Sequence, residues 1–200
     1  MPRTIAKNHD TKRDAILKAA AKLFASEGYG RASMAGVAAA CGISKANIYH
    51  YYPSKEALLF DILESHLSEL RDRICGLTYD SDAPEDQLRV ILTEVLLAYQ
   101  GADAEHDVLL SATQALPEEK QEILRQYQRD FIYEGRARLA AIAPESVAND
   151  RAKLWALTML VFGMLNWHYK WNSAADADTR RAHAKMIADL VIGGVPNLQV

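Results

Sequence analysis

The sequence predicts an all-α protein of about nine helices, and three observations carry that prediction. Apolar residues recur at i, i+3, i+4 and i+7 in one segment after another, the spacing of a helix with one buried face. No segment shows the period-two alternation of a half-buried strand. Glycine and proline fall where helices should end or begin, at Gly42, Gly101, Pro117 and Pro144. The expected organisation is a three-helix helix-turn-helix domain over residues 1–56 and a larger helical domain over 57–200.

Ser33 to His50 is the most informative stretch. Met34, Val37, Ala38 and Cys41 mark the buried face of a short helix led by a Ser33 N-cap. Gly42 permits positive φ, so the chain can reverse before Ser44 caps a second short helix from Lys45 to His50. Only Ile43 and Ile48 point inward from this second helix, which turns Lys45, Ala46, Asn47, Tyr49 and His50 outward. A recognition helix presents its N-terminal residues to base edges in the major groove, where Lys donates to guanine and Asn pairs with adenine. Lone solvated polar residues are the bland alternative; the glycine turn and the two caps weigh against it.

The remaining elements follow in order. Leu59, Ile62, Leu63, Leu67, Leu70 and Ile74 stripe a long fourth helix, with Lys55 in its first turn and the shape of a lever leaving the reader. After a loop from Thr78 to Ala83, Leu88, Ile91, Leu92, Val95, Leu96 and Tyr99 stripe a fifth, ended near Gly101. A short helix is expected over Asp107–Ala115. A long one then opens at Pro117-Glu-Glu, with acid in its first turn, and closes at Pro144. Asp150–Trp171 and Thr179–Ile192 complete the set.

Charge divides along the same boundary. The chain carries a net −3, yet residues 1–56 hold nine Lys/Arg against four Asp/Glu, a local +5 that leaves −8 for the rest. A basic end beside an acidic remainder is the footprint of a nucleic-acid reader. The N-terminal Arg3, Lys7 and Lys12 add a looser grip or form a solvated tail. Met1 to Lys12 has no apolar core, so no secretory signal is expected and the location is read as cytoplasmic. The longest apolar run, Leu154 to Trp167, falls short of the roughly 20 residues that cross a bilayer and reads as a buried helix, so no membrane partner is expected.

Across about the first sixty residues the chain resembles the TetR family of transcriptional regulators. Arg13, Ile16, Leu17, Ala19, Ala20, Leu23, Phe24, Gly28 and Tyr29 stand in the spacing of that family's first helix and its exit. Ser33, Val37, Ala38, Gly42, Ile43, Ser44, Lys45, Ile48, Tyr49, Tyr51, Tyr52, Ser54, Lys55, Glu56 and Leu58 continue the match. The family's Tyr-His-Tyr-Phe run stands here as Tyr49-His50-Tyr51-Tyr52, a change expected to have little consequence. The resemblance implies a dimer that binds a palindromic double-stranded DNA operator under the control of a small molecule. It also implies base-edge roles for Lys45, Ala46, Asn47 and His50, and phosphate-positioning roles for Ser33, Ser44, Tyr49, Tyr51 and Lys55. Arg31 would add electrostatic grip.

The last two helices are expected to build the homodimer. Leu154–Trp167 is apolar nearly all round, so a second face needs cover, and Ala184, Ile187, Ala188 and Val191 suit a two-fold helix bundle. TetR-like proteins dimerise in this way. Effector-pocket candidates combine apolar walls with a few polar groups: Tyr99, Thr113, Gln114, Tyr127, Phe131, Met159, Phe162, Met164 and Asn166. Ordinary core packing is the alternative for each.

Phe162 to Trp171 resembles the dimer-helix segment of TetR-like regulators of fatty-acid, steroid and aromatic-acid degradation, with the phenylacetate-type regulators the nearest likeness. That likeness implies an acyl-CoA or aryl-CoA effector. Lys120, Arg125, Arg129, Arg136, Arg138, Arg151, Lys153 and Lys170 are then candidates for CoA phosphates, with Trp167 or Trp171 near the adenine. A drug-type apolar ligand and a ligand-free DNA-binding factor are the competing readings. An enzyme is not expected: the chain has no HExxH, serine elbow, phosphate-binding glycine loop or metal-ligand cluster, and no cofactor is expected. Cys41 and Cys75 show no CxxC spacing, and Cys41 reads as a small buried hydrophobe rather than a redox sensor.

Overall fold

The computed structural model describes residues 2–172 and 175–198, with side chains from residue 11 onward. Among the described residues there are eleven α-helices, two of them a turn or little more, and no strand. They are α1 (Pro2–Glu27), α2 (Met34–Ala40), α3 (Lys45–Tyr51), α4 (Lys55–Cys75), α5 (Pro84–Ala98), α6 (Asp103–Ala112), α7 (Glu118–Ile142), α8 (Glu145–Ala148), α9 (Arg151–Asn166), α10 (His168–Asn172) and α11 (Ala177–Gly194). Short 3-10 turns follow α6 and α11.

The helices pack as two compact units: residues up to 67 together with 102–125, and residues 68–101 together with those from 126 onward. Position 56/57 lies in the first turn of α4. In the first unit Ile16, Leu17, Ala20 and Phe24 of α1 are buried, as are Val37 and Ala38 of α2 and Ile48 of α3. Leu58, Leu59, Ile62 and Leu63 supply the α4 side. α6 packs on α1. Its Glu105 faces Lys18 and Lys22, and burial holds that carboxyl above the ordinary range despite them. His106 of α6 meets His66 of α4 edge to face, ring centroids 6.0 Å apart. Lys120, in the first turn of α7, pairs with Glu56 in the first turn of α4 at 2.8 Å.

The second unit is built on α5 packed along α11. Leu88, Ile91, Leu92, Val95 and Leu96 form the α5 stripe, and Ala184, Ile187, Ala188 and Val191 form that of α11. The four α11 residues expected to meet a partner subunit therefore pack inside their own chain. Residues at i, i+3, i+4 and i+7 declare a covered face without saying whose atoms cover it. The large apolar side chains that α11 leaves outward are Met186 and Leu190, 62% and 65% exposed. On α7, Gly135 lets Phe162 of α9 lie close, since a Cβ there would stand 3.1 Å from the Phe162 Cε2.

Several elements depart from expectation. The helix expected over Asp107–Ala115 starts at Asp103, just after Gly101 turns the chain at φ +77, and its last three residues tighten into the 3-10 turn Thr113–Ala115. α8 is an added turn after Pro144. The single helix expected over Asp150–Trp171 breaks at Trp167. There His168 turns inward to stack on His183, ring centroids 4.6 Å apart, while Trp167 and Trp171 stay exposed. α1 extends back to Pro2, so Arg3 and Lys7 sit on a helix, although their side chains lie outside the described residues.

Candidate nucleic-acid interface and effector residues

The turn between α2 and α3 is assembled locally. Ser33 Oγ accepts from the Gly36 N–H and Ser44 Oγ from the Asn47 N–H, each at 3.1 Å, so both helix starts have a donor satisfied. Gly42 sits at φ +65, the left-handed region that favours glycine, and its N–H reaches the Ala39 carbonyl. On α3 Lys45, Ala46, Asn47, Tyr49 and His50 are exposed, Tyr51 is half-buried, and Ile48 alone is fully buried. The expected base-edge residues thus share one accessible helix surface. Ser33 and Ser44 are exposed beside it.

Lys55 has a more specific role than its charge implied. Its Nζ donates to the carbonyls of Tyr29 at 2.7 Å and Ala32 at 2.8 Å, and lies 4.4 Å from the centre of the Tyr29 ring. The ammonium thus holds the loop between α1 and α2. At this helix start the side-chain cap is Ser54, whose Oγ accepts from the Ala57 N–H at 3.0 Å. Arg31 donates to the Glu27 carbonyl at 2.6 Å, capping the end of α1.

The Phe-to-Tyr change at Tyr52 does have a consequence. Tyr52 is the C-cap of α3, and its hydroxyl donates to Asp61 Oδ2 on α4 at 2.6 Å. Arg13 of α1 donates to the same carboxylate through Nε, at 3.0 Å, and through Nη2. Burial and the Asp61 charge push the Tyr52 phenol well above its ordinary range, so it remains a donor. Asp61 was not among the candidates. Its partners lie 9 and 48 residues away, beyond any local pattern. Cys41 is half-buried, and burial pushes its thiol up, the opposite of an activated thiolate.

Of the effector candidates, Tyr99 is buried and donates its hydroxyl to Asn166 Oδ1 at 2.9 Å, while Phe131 and Phe162 stack at 6.0 Å. These four belong to the second unit, as do half-buried Met159 and Tyr127, the latter under the Arg71 guanidinium at 4.8 Å. Thr113 and Gln114 belong to the first unit. The Thr113 hydroxyl is turned back to the Leu109 carbonyl, and Gln114 is exposed. Trp167 is 62% exposed and Met164 also faces outward. Among the basic candidates Lys120, Arg125 and Arg138 are each committed to a glutamate, whereas Arg151 and Lys153 are exposed at the start of α9.

Two short helices in a glycine-turned pair, one presenting Lys, Asn and His outward, define a helix-turn-helix reader of duplex DNA. The model of bacterial regulatory proteins of the tetR family matches residues 16–62, and that of the tetracyclin repressor-like C-terminal domain matches residues 81–195. The chain belongs to the TetR family. A TetR-family transcriptional regulator from Bordetella parapertussis 12822 is 35% identical over 94% of this chain and 97% of that one, with a TM-score of 0.82. AibR, solved in complex with isovaleryl coenzyme A and operator DNA, shares the fold at 23% identity, covering 92% of this chain and 98% of that one at a TM-score of 0.74. An uncharacterized HTH-type transcriptional regulator of Bacillus subtilis (strain 168), YuxN, is 39% identical over 82 residues, 41% of this chain and 28% of that protein. The chain spans 28% to 47% of the length of several curated relatives that it matches. No helix among the described residues is long and apolar enough to cross a membrane.

Proposed function

We propose that the chain is a homodimeric repressor that binds a palindromic operator and is released by a small molecule, an acyl-CoA or aryl-CoA thioester. The observation that carries the DNA reading is α3 itself, which buries Ile48 and turns Lys45, Asn47, Tyr49 and His50 to solvent. Lys45, Ala46, Asn47 and His50 take base edges. Ser33, Ser44, Tyr49 and Tyr51 take phosphates, with Arg31 adding charge. Lys55 acts through the loop it holds and through the backbone N–H groups that start α4.

Dimerisation is supported by the outward apolar side chains of α9 and α11, Leu160, Met164, Met186 and Leu190, which a second copy would take out of water. Two copies present two readers, and half-sites about one helical turn apart suit them. The thioester class is supported by the likeness of Phe162–Trp171 to acyl-CoA-responsive regulators and by AibR, a protein of the same fold with isovaleryl coenzyme A bound. Tyr99, Tyr127, Phe131, Met159, Phe162, Asn166 and Trp167, all of the second unit, are the proposed effector contacts, and Thr113 and Gln114 of the first unit are left out. The effector releases DNA only to the extent that it prefers the unbound arrangement of α4 and the reader.

Selection of duplexes from a random library, followed by thermal denaturation against acyl-CoA and aryl-CoA thioesters beside their free acids and free CoA, tests this reading. A two-fold repeated sequence, and stabilisation by one thioester that also releases the selected duplex, are expected. Selection without any thermal shift rejects the thioester and leaves a DNA-binding factor. Failure to select any sequence rejects the reader.

A further inference from the structure

The recognition helix is short. Of the seven residues of α3, Ile48 is fully buried and Tyr51 half-buried, and the helix packs on α2. A point of attachment just beyond its last residue would fix its angle further, so that Lys45, Asn47 and His50 meet base edges in one register. That point is Tyr52, four residues beyond Ile48 and thus about 6 Å further along the helix axis. Its ring is buried and its hydroxyl ends on Asp61 at 2.6 Å.

Asp61 is itself fixed from the other side. Arg13 reaches it with two nitrogens and places Nη2 3.5 Å from Ser65 Oγ, one turn further along α4. The carboxylate thus accepts from α1 and from the end of α3 while riding on α4. Charge-assisted bonds of this kind are short and directional, and a two-nitrogen guanidinium contact fixes angle as well as distance. Asp61 keeps about a sixth of its side-chain surface exposed and Arg13 about two fifths, so the group is screened only in part.

We propose that Tyr52, Asp61 and Arg13 form a positioning latch that sets the angle of the recognition helix against α1 and α4, and so sets sequence selectivity rather than overall DNA affinity. The latch rests on the reading that α3 enters the major groove. None of its three residues is among the proposed DNA contacts; they act through Lys45, Asn47 and His50. Phe in place of Tyr52 would keep the apolar knob and lose the bond.

The test compares Tyr52→Phe, Asp61→Asn and the double variant with wild type. The probes are a duplex selected from a random library by the wild-type chain and a scrambled duplex of equal length. Each single variant is expected to lower the selected-to-scrambled affinity ratio about tenfold, with scrambled affinity unchanged. The double variant should lose no more than the worse single, as expected for residues in one network. Equal losses on both duplexes would mean a merely structural role and would overturn the latch, as would additive losses or an unchanged ratio. If Asp61→Asn fails to fold, Tyr52→Phe, which deletes one oxygen, decides alone. A wild-type chain that selects no sequence overturns the groove reading and the latch with it; successful selection with an unaffected Tyr52→Phe overturns the latch only.

Discussion

Tyr99 donates its hydroxyl to Asn166 Oδ1 across 2.9 Å, joining the residue that caps α5 to the last residue of α9. Tyr99 is buried and burial pushes its phenol far up, so the oxygen stays protonated and in need of an acceptor. Asn166→Leu should therefore lower stability by about 1–3 kcal/mol, and adding Tyr99→Phe should recover part of the loss, because removing both partners costs less than orphaning one. Urea midpoints for the two singles and the double measure this. A double variant as unstable as the sum of the singles would mean that the bond contributes nothing.

Lys55 and Asn47 should separate two kinds of DNA contact. The Lys55 ammonium holds the carbonyls of Tyr29 and Ala32, so Lys55→Ala loosens the loop that leads into α2 as well as removing a charge. Selected and scrambled duplexes should weaken alike, with a melting temperature lowered by a few degrees, as about 1 kcal/mol gives for a domain of this size. Asn47→Ala removes an exposed side chain whose backbone N–H serves the Ser44 cap, so stability should hold while sequence preference changes at one position of each half-site. Repeating the library selection with each variant distinguishes them. A Lys55→Ala protein with altered sequence preference would place that residue at base edges instead.

These contrasts track what was legible in the amino-acid order. The reader was legible because its determinants are local: Ser33 and Ser44 each satisfy a backbone group three residues on, and Gly42 needs no distant partner to turn the chain. The stripes of α4 and α5 were legible for the same reason, and every residue expected on them is buried. Long-range polar pairing was not. Nothing near Tyr52 announces that its oxygen meets Asp61, nor does the helical pattern around Trp167 announce that His168 must turn inward. The α11 stripe declares its period but not its neighbour, since burial against α5, which the fold shows, and burial against a second subunit leave the same pattern.

The outward faces of α9 and α11 make the proposed dimer testable without unfolding the chain. Leu160 is 69% exposed and Leu190 is 65% exposed, so neither contributes much to the core of its own subunit. Leu160→Glu with Leu190→Glu should leave the thermal stability of the isolated subunit little changed and shift the protein from dimer to monomer at micromolar concentration. Charges brought into a closely packed two-fold interface would face their own copies unpaired. Sedimentation equilibrium reads the outcome. A double variant that remains dimeric would remove these faces from the interface.

Two histidines should give the fold a pH dependence of defined sign. His168 has no exposed surface; burial first, then the charges of His183 and Arg180 that face it, bring its pKa down from an ordinary 6.5 to about 4. His66 is likewise lowered to about 3, by burial and by His106 across the α4–α6 contact. In the unfolded chain both titrate near 6.5, so between that value and the lowered ones the unfolded state binds more protons and stability falls as pH falls. The stabilisation is complete above about pH 6.5 and is lost towards pH 4 for His168 and towards pH 3 for His66. Between pH 7.5 and 5.5, where carboxylates of ordinary pKa stay ionised, each histidine should cost the fold about 1–2 kcal/mol. Urea unfolding at the two pH values should show the midpoint fall at constant m, and His168→Phe, which keeps a ring against Trp171 and His183, should shed part of the fall, the rest staying with His66 and with His183, whose pKa burial also lowers. A midpoint that holds steady or rises on acidification would mean that these imidazoles gain their protons within the folded chain.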